Sequence, residues 1–258
     1  MTALPLWQQL TEVENRLGEA SHVLLLTDYD GTLTPLVDRP ENAVLPEPVR
    51  ETLATLAQRP ATTVGVVTGR ALLDIRARVD RAELIYAGNH GLEIEGPGLS
   101  FRSPEAEAVR TELQAIAAEL TQRLQEIPQA RIEDKGLTLS IHHRLVPEGH
   151  LPNFFAIIEE IFARLPGNLR TTTGKMVHEV RPQVAWNKGH ASVWIREQLR
   201  QPRVVPIFLG DDKTDEDAFD MLMDGITIKV GPHDATKARY GVEDPSAVAR
   251  FLDWLAQR

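Results

Sequence analysis

Four short stretches of the chain hold residues whose types and spacing suit a ligand site at the edge of a sheet. Asp28-Tyr29-Asp30-Gly31-Thr32 follows directly on the apolar run Val23-Leu24-Leu25-Leu26. Residues two apart at a strand end project the same way, so Asp28 and Asp30 point together from the carboxyl edge, where open α/β sheets bind ligands. Thr68-Gly69-Arg70 ends a second apolar run and offers a hydroxyl and backbone amides at a helix start, able to hold a phosphate oxygen. Asn187-Lys188-Gly189 sets an ammonium group before a helix-like stretch, and Gly210-Asp211-Asp212-Lys213-Thr214-Asp215 crowds carboxylates at another strand-to-helix junction. Each stretch also has a purely structural reading: an Asp-Gly turn, a helix cap at Thr68, a solvated surface lysine, and a capping box of Thr214 with Asp217. Capping does not need Asp211 and Asp212 as well. Their conjunction is what points to chemistry.

The elements that must position these residues follow from punctuated apolar runs. Strands are expected over His22 to Thr27, Thr62 to Val67, Glu83 to Ala87, Val204 to Leu209 and Gly225 to Val230. Helices are expected over Pro48 to Gln58, Ala71 to Val79, Asp215 to Met223 and Pro245 to Ala256, with a short amphipathic helix before Ala20. Strands alternating with helices predict an α/β fold, a parallel sheet covered on both faces. The middle of the chain departs from that rhythm. Val109, Leu113, Ile116, Leu120 and Leu124 recur at helical steps and predict one long helix over Pro104 to Leu124. Leu137, Leu139 and Ile141 alternate with Thr138, Ser140 and His142, a half-buried strand. Arg131, Glu133 and Lys135 share one side of the preceding strand, and the two form a hairpin around Gly136. A helix over Leu151 to Leu165 and a hairpin turning at Thr173-Gly174-Lys175 complete a small α+β unit inserted into the α/β domain. On its second hairpin Lys175, Glu179 and Arg181 share a face.

Composition narrows the function. The chain has 258 residues, with 28 Lys+Arg against 37 Asp+Glu and a net charge of -9, which leaves no broad basic footprint for nucleic acid. An anionic ligand must therefore be held by local cations, amides or metal. With no cysteine, thiol nucleophiles and thiolate metal sites are excluded, leaving carboxylate and imidazole as ligands. No apolar run approaches the ~20 residues of a membrane span and no secretory signal is evident, so a cytoplasmic address is expected.

In order and placement the four stretches resemble the motif set of the haloacid dehalogenase-like superfamily, whose fold is a Rossmann-like parallel-sheet core with an inserted cap. The resemblance implies that Asp28 attacks phosphorus and that Asp30 protonates the leaving oxygen and later activates water. It implies that Thr68 and Lys188 bind phosphoryl oxygens, and that Mg²⁺ sits between Asp28, the main-chain carbonyl of Asp30, and Asp211. Asp212 and Asp215 become supporting acids, orienting water or holding Lys188. Asp30 must start protonated, so surroundings that favour its neutral form are expected.

Gly88-Asn89-His90-Gly91, Glu133-Asp134-Lys135-Gly136, His142-His143-Arg144 and Gly174-Lys175-Met176-Val177-His178-Glu179-Val180-Arg181-Pro182 look like trehalose-6-phosphate phosphatases. This resemblance implies that Glu133, Lys135 and Glu179 hydrogen-bond disaccharide hydroxyls, with Arg70 and Arg144 also counted among the substrate-binding residues. His143 departs from relatives that often carry tyrosine, and His90 is given no catalytic role. The implied division is a hydrolase core over residues 1–102 and 184–258 and a specificity cap over 103–183. A separate trehalose-6-phosphate synthase would supply the substrate, the N-terminal stretch being too short for one. Phosphatases of sucrose-6-phosphate or mannosyl compounds, a phosphomutase and a non-catalytic sugar-phosphate sensor are the alternatives.

Overall fold

A computed structural model of the chain describes residues 2–174, 176–232 and 235–258. In chain order the first elements are β1 Leu4–Pro5, α1 Leu10–Gly18, β2 His22–Thr27, α2 Glu47–Ala57, β3 Thr62–Val67, α3 Leu72–Val79, β4 Ile85–Gly88, β5 Glu93–Gly96 and β6 Leu99–Arg102. The middle holds α4 Pro104–Ala108, α5 Arg110–Arg123, β7 Arg131–Asp134, β8 Leu139–His142, α6 Leu151–Phe162, β9 Leu169–Gly174 and β10 Val177–Pro182. α7 Lys188–Gln198, β11 Val204–Gly210, α8 Glu216–Met221, β12 Ile226–Val230, β13 Tyr240–Val242 and α9 Pro245–Ala256 complete the chain. It divides into two compact units, Met1–Phe101 with Trp186–Arg258, and Arg102–Ala185.

Among the described residues the first sheet has the order β1-β13-β12-β11-β2-β3-β4-β5-β6. It is parallel from β1 through β4, and β5 runs antiparallel to β4. The α/β parallel-sheet fold expected from the sequence is therefore what forms. β2, β3 and β4 run outward on one side while β11 and β12 lie on the other, so the direction of winding changes between β2 and β11. A ligand crevice belongs at the carboxyl ends of that pair. Successive residues of β2 bury on opposite faces: Leu25 joins the core under α1, α2, α3 and α9, whereas Leu24 and Leu26 join the one under α7 and α8. Such a strand has no solvent face, which is why it reads as a continuous apolar run. β1, β5, β6 and β13 went unpredicted because they are short, and β5 and β6 carry charged residues.

In the second unit, four strands in the order β7-β8-β10-β9 form an antiparallel sheet. One long helix was expected over Pro104 to Leu124; two form instead. Ser103 caps α4, its side chain accepting from Ala106 N, and the chain leaves helical geometry at Val109, whose N–H bonds back to Ala106 O and Glu107 O. The apolar stripe survives the break, with Val109, Leu113, Leu120 and Leu124 all buried. A second difference lies in β8 and the residue before it: Ser140 and Thr138 are as buried as their apolar neighbours, at 1% exposure each, so the alternation marked chemistry rather than solvent. The hairpin turns as expected at Gly136, which has φ +81, and Lys135 N donates to Thr138 O at 3.0 Å across the turn. Lys175, in the second turn, lies outside the described residues. No helix among the described residues is long and apolar enough to cross a membrane.

The core of the second unit contains a histidine pair. His143 lies 5.2 Å from His178 between ring centroids, and 5.4 and 5.3 Å from Phe154 and Phe155. Its Nδ1 is buried with no hydrogen-bond partner among the described residues. Burial lowers both imidazoles below the ordinary histidine range, and for His143 the charges of His178, His142 and Arg144 add to the fall. An unfolded histidine binds its proton below about pH 6.5, where these two resist it in the folded chain. Stability they support is full above that pH and declines as pH falls toward their lowered values. Thermal melts should show a lower Tm at pH 5 than at pH 7.5, with a smaller difference in a His143→Phe, His178→Phe double variant; an unchanged difference would contradict the assignment.

Candidate active site

Asp28 extends the central strand pair, its N–H donating to Leu209 O at 2.8 Å. The chain then turns tightly, Gly31 N donating to Thr34 O at 2.8 Å with Gly31 at φ +85. A Cβ at Gly31 would collide with the Asp211 carboxylate, so glycine permits both the turn and the approach of the second acidic loop. Tyr29, between the two aspartates, is buried, and its hydroxyl donates to Ala43 O at 3.0 Å. The ring anchors the loop while its acidic neighbours stay at the edge.

Lys188 opens α7 behind an Asn187 cap, whose side chain accepts from His190 N at 3.0 Å. It is 2% exposed, which rules out a solvated surface charge. Its Nζ donates to Asp28 Oδ1 at 2.9 Å and to Asp215 Oδ1 at 2.7 Å. Burial works against the ammonium, but Asp215 and Asp28 outweigh it and raise Lys188 above the ordinary lysine range, so it stays charged. The capping box in this loop pairs Asp212 with Asp215 rather than Thr214 with Asp217, because the helical turn starts earlier, at Lys213–Asp215. Asp215 Oδ2 accepts from Asp212 N at 2.9 Å. Asp215 thus spends one oxygen on the loop and the other on Lys188.

Burial pushes the Asp28 carboxyl well above the usual range; Lys188 pulls it back, while the Asp215 and Asp211 charges add to the rise. Asp211 is pushed up to about 6, by burial first and then by Asp215. Asp28, Asp211 and Asp215 crowd around Lys188, with Lys229 beside Asp211, which leaves an excess of negative charge that a divalent cation would relieve. Asp28, Asp211 and Asp215 each offer an oxygen, all within 4.8 Å of one another. Asp211 Oδ1 is buried and has no hydrogen-bond partner among the described residues. An all-oxygen donor set with one unpartnered carboxylate oxygen fits a hard divalent ion.

Asp30 meets a cation at both carboxyl oxygens. Arg70 Nε donates to Asp30 Oδ2 and Arg70 Nη2 to Oδ1, both at 2.6 Å. The same guanidinium donates to Asp74 at 2.8 Å and Pro40 O at 2.7 Å and lies 5.2 Å from the Tyr29 ring centroid. The cause is the loop after β2, which brings Pro40 and Asp30 to α3, and no local pattern registers that approach. Arg70, expected among the substrate-binding residues, is 6% exposed and committed to these partners. Thr68, 1% exposed, continues β3 by donating its N–H to Ala87 O at 2.9 Å, and its hydroxyl accepts from Arg70 N at 3.3 Å. It is not the cap of α3, which is Ala71.

In the second unit Glu133, Lys135 and Glu179 are brought to one sheet face. His142 Nε2 is 3.0 Å from Glu133 Oε2. Burial works to raise Glu133, but the hydrogen bond to His142 and the charges of Lys135, His142 and Arg131 outweigh it and hold the carboxyl at about 2. Lys135 Nζ lies 3.7 Å from Glu179 Oε1. Arg144 is exposed beyond the end of β8.

Residues 26–246 match the family model described as trehalose-phosphatase. The chain belongs to the trehalose-phosphatase family. Trehalose-phosphate phosphatase B of Arabidopsis thaliana is 34% identical over 257 residues, covering 93% of this chain and 68% of the plant protein. A solved structure described as a trehalose-6-phosphate phosphatase related protein is 29% identical with a TM-score of 0.79, covering 91% of this chain and 97% of that one. A haloacid dehalogenase-like hydrolase from Bacteroides thetaiotaomicron, 16% identical with a TM-score of 0.63 over 91% of this chain and 100% of its own, shares the fold.

Two site residues of this trehalose-phosphatase family member escaped the sequence reading. Lys229, on β12, donates Nζ to Asp211 O and so ties down the acidic loop. A lysine at a strand end reads as surface; only the register, which pairs Lys229 with Gly210, reveals it. Asp74 grips both Arg70 and Arg78, at 2.8 Å each, as a partner behind Asp30. Its signal was the four-residue spacing to each arginine on one helix.

Proposed function

We propose that the chain hydrolyses trehalose 6-phosphate to trehalose and phosphate through an aspartyl-phosphate formed on Asp28. The observation that carries the chemistry is the buried Lys188 ammonium held between Asp28 and Asp215, with the acid Asp30 two residues on from Asp28. Family membership and the Glu133, Lys135 and Glu179 face support the sugar substrate.

In the first half-reaction an Asp28 oxygen bonds to phosphorus as the bond from phosphorus to the sugar oxygen breaks, and Asp30 delivers a proton to that oxygen. In the second, water passes a proton to Asp30 and attacks phosphorus, so Asp28 returns to carboxylate and phosphate leaves. Lys188 offsets the charge of Asp28, without which a carboxylate approaches a phosphate dianion poorly. The Thr68 hydroxyl, with the backbone amides of its turn, holds a phosphoryl oxygen. Arg70 donates to both oxygens of Asp30, so one of these bonds must give way for that oxygen to carry the proton while the other keeps the carboxyl aimed. Asp28, Asp211 and the main-chain carbonyl of Asp30 would hold Mg²⁺, which would supply charge neutralisation at the phosphoryl group. Asp215 holds Lys188, and Asp212 braces Asp215. Residues 103–183 serve as the cap, in which Glu133 and Glu179 accept from sugar hydroxyls while Lys135 donates to them. The substrate is a small soluble sugar phosphate made by a separate synthase in the cytoplasm.

Phosphate release from a panel of trehalose 6-phosphate, sucrose 6-phosphate, mannosyl phosphates and glucose 6-phosphate, with Mg²⁺ and with a chelator, tests this. Mg²⁺-dependent release greatest from trehalose 6-phosphate is expected. Equal rates on glucose 6-phosphate would overturn the disaccharide assignment, and full activity in chelator would overturn the metal.

A further inference from the structure

Four side chains stand in a single row across every strand of the smaller sheet. The registers pair Glu133 with Ser140, Ser140 with Glu179 and Glu179 with Thr172. Directly opposed residues share a sheet face, so Glu179 on β10 has a hydroxyl on each flank, from β8 and from β9. Ser140 Oγ donates to Glu179 Oε1 at 3.2 Å, and Thr172 Oγ1 donates to Oε2 at 3.3 Å. Two cations among the described residues flank it, Lys135 Nζ at 3.7 Å from Oε1 and Arg181 Nη1 at 3.9 Å from Oε2. At those separations they favour the charge without fixing its direction. The two hydroxyls, one on each oxygen, contribute direction. A glutamate has three side-chain torsions to order, and a carboxylate held at both oxygens has its plane and rotamer set before a ligand arrives.

We propose that Ser140 and Thr172 are specificity-determining positioning residues, whose hydroxyls clamp the Glu179 carboxylate in the orientation that receives the sugar hydroxyls. This rests on the assignment of Glu179 to sugar binding. The sheet itself does not need the clamp. β8, β9 and β10 are joined by backbone ladders, and the apolar core of the unit, with Leu139, Ile141 and Val180, takes the opposite face of the pleat. A serine as buried as Ser140, next to a charged partner and away from that core, is placed for its hydroxyl.

The test is steady-state kinetics on the full chain with Mg²⁺, using trehalose 6-phosphate and p-nitrophenyl phosphate, which has no sugar hydroxyls. Hydrogen bonds to ionised groups are worth about tenfold or more in an equilibrium. Ser140→Ala and Thr172→Val should each raise KM for trehalose 6-phosphate by about five- to twentyfold with kcat within about twofold. The preference for trehalose 6-phosphate over p-nitrophenyl phosphate should fall by the same factor. Thr172→Ser, which keeps the hydroxyl, should restore KM, and Ser140→Ala should add nothing to Glu179→Ala, because the clamp then has nothing to hold. If Glu179→Ala raises KM and the two hydroxyl variants do not, the clamp is refuted while sugar binding by Glu179 stands. If Glu179→Ala leaves KM unchanged, both fall. Equal losses on both substrates would mean general damage to the fold and would also overturn the proposal.

Discussion

Asp28→Asn abolishes turnover and leaves the chain folded. The carboxamide is nearly isosteric, but its oxygen is a poor nucleophile and cannot carry a transferred phosphoryl group, so a loss of about 10⁴-fold or more is expected, equivalent to roughly 5 kcal/mol of barrier. Stability follows a separate logic. Asp28 is buried among Asp211 and Asp215, and burial disfavours its charge. Neutralising it removes that cost along with one of the two partners of Lys188, whose 2.7 Å bond to Asp215 remains. Unfolding free energy should therefore change by no more than about 2 kcal/mol. Phosphate release and denaturant melts measured on the same preparation check both halves; a folded variant keeping more than about one hundredth of wild-type turnover would exclude Asp28 as the nucleophile.

Lys188→Met should damage both stability and activity. The substitution keeps an unbranched chain of similar length and removes the charge, which leaves Asp28 and Asp215 buried without their shared cation. Breaking a buried pair this way costs about 3–5 kcal/mol. Urea unfolding at pH 7.5 without added divalent ions should show that loss, and it should shrink as the pH is lowered and the stranded carboxylates take up protons. Turnover should fall by about 10²- to 10⁴-fold, because the attacking carboxylate is no longer neutralised and the phosphoryl group loses a cation. Lys188→Arg is not expected to rescue either property, since a planar fork cannot occupy the place of a compact ammonium between two close carboxylates. A Lys188→Met variant within about 1 kcal/mol of wild type would contradict the account of the buried triad.

Strands buried on both faces announce themselves as apolar runs, which is why β2 and β3 could be bounded from sequence alone and why Asp28 and Thr68 could be placed at their ends. Helix α9 was legible at its start because Asp244 caps it and Pro245 opens it. Where partners lie far apart along the chain, periodicity is silent. Nothing local to Asp30 announces Arg70, forty residues on, although the two are paired at both carboxyl oxygens. The break at Val109 was hidden by the stripe itself, since two helices joined through a tight turn can keep one apolar seam. Ser140 shows the opposite failure: an alternating pattern predicts which face a residue takes and not whether that face meets solvent. The Glu133 and Glu179 face was visible in the pleat, but the hydroxyls between those acids emerge only once the four strands are in register.

The central claim is that Asp28 carries the phosphoryl group. The most direct measurement mixes wild-type protein with trehalose 6-phosphate and Mg²⁺, quenches in acid within the first turnovers, and locates the added mass by peptide mass spectrometry. One phosphoryl group on the peptide containing Asp28, removed by hydroxylamine and absent from Asp28→Asn, is the predicted result. Rapid turnover with no phosphoryl group on that peptide, or with one on a different residue, would contradict it.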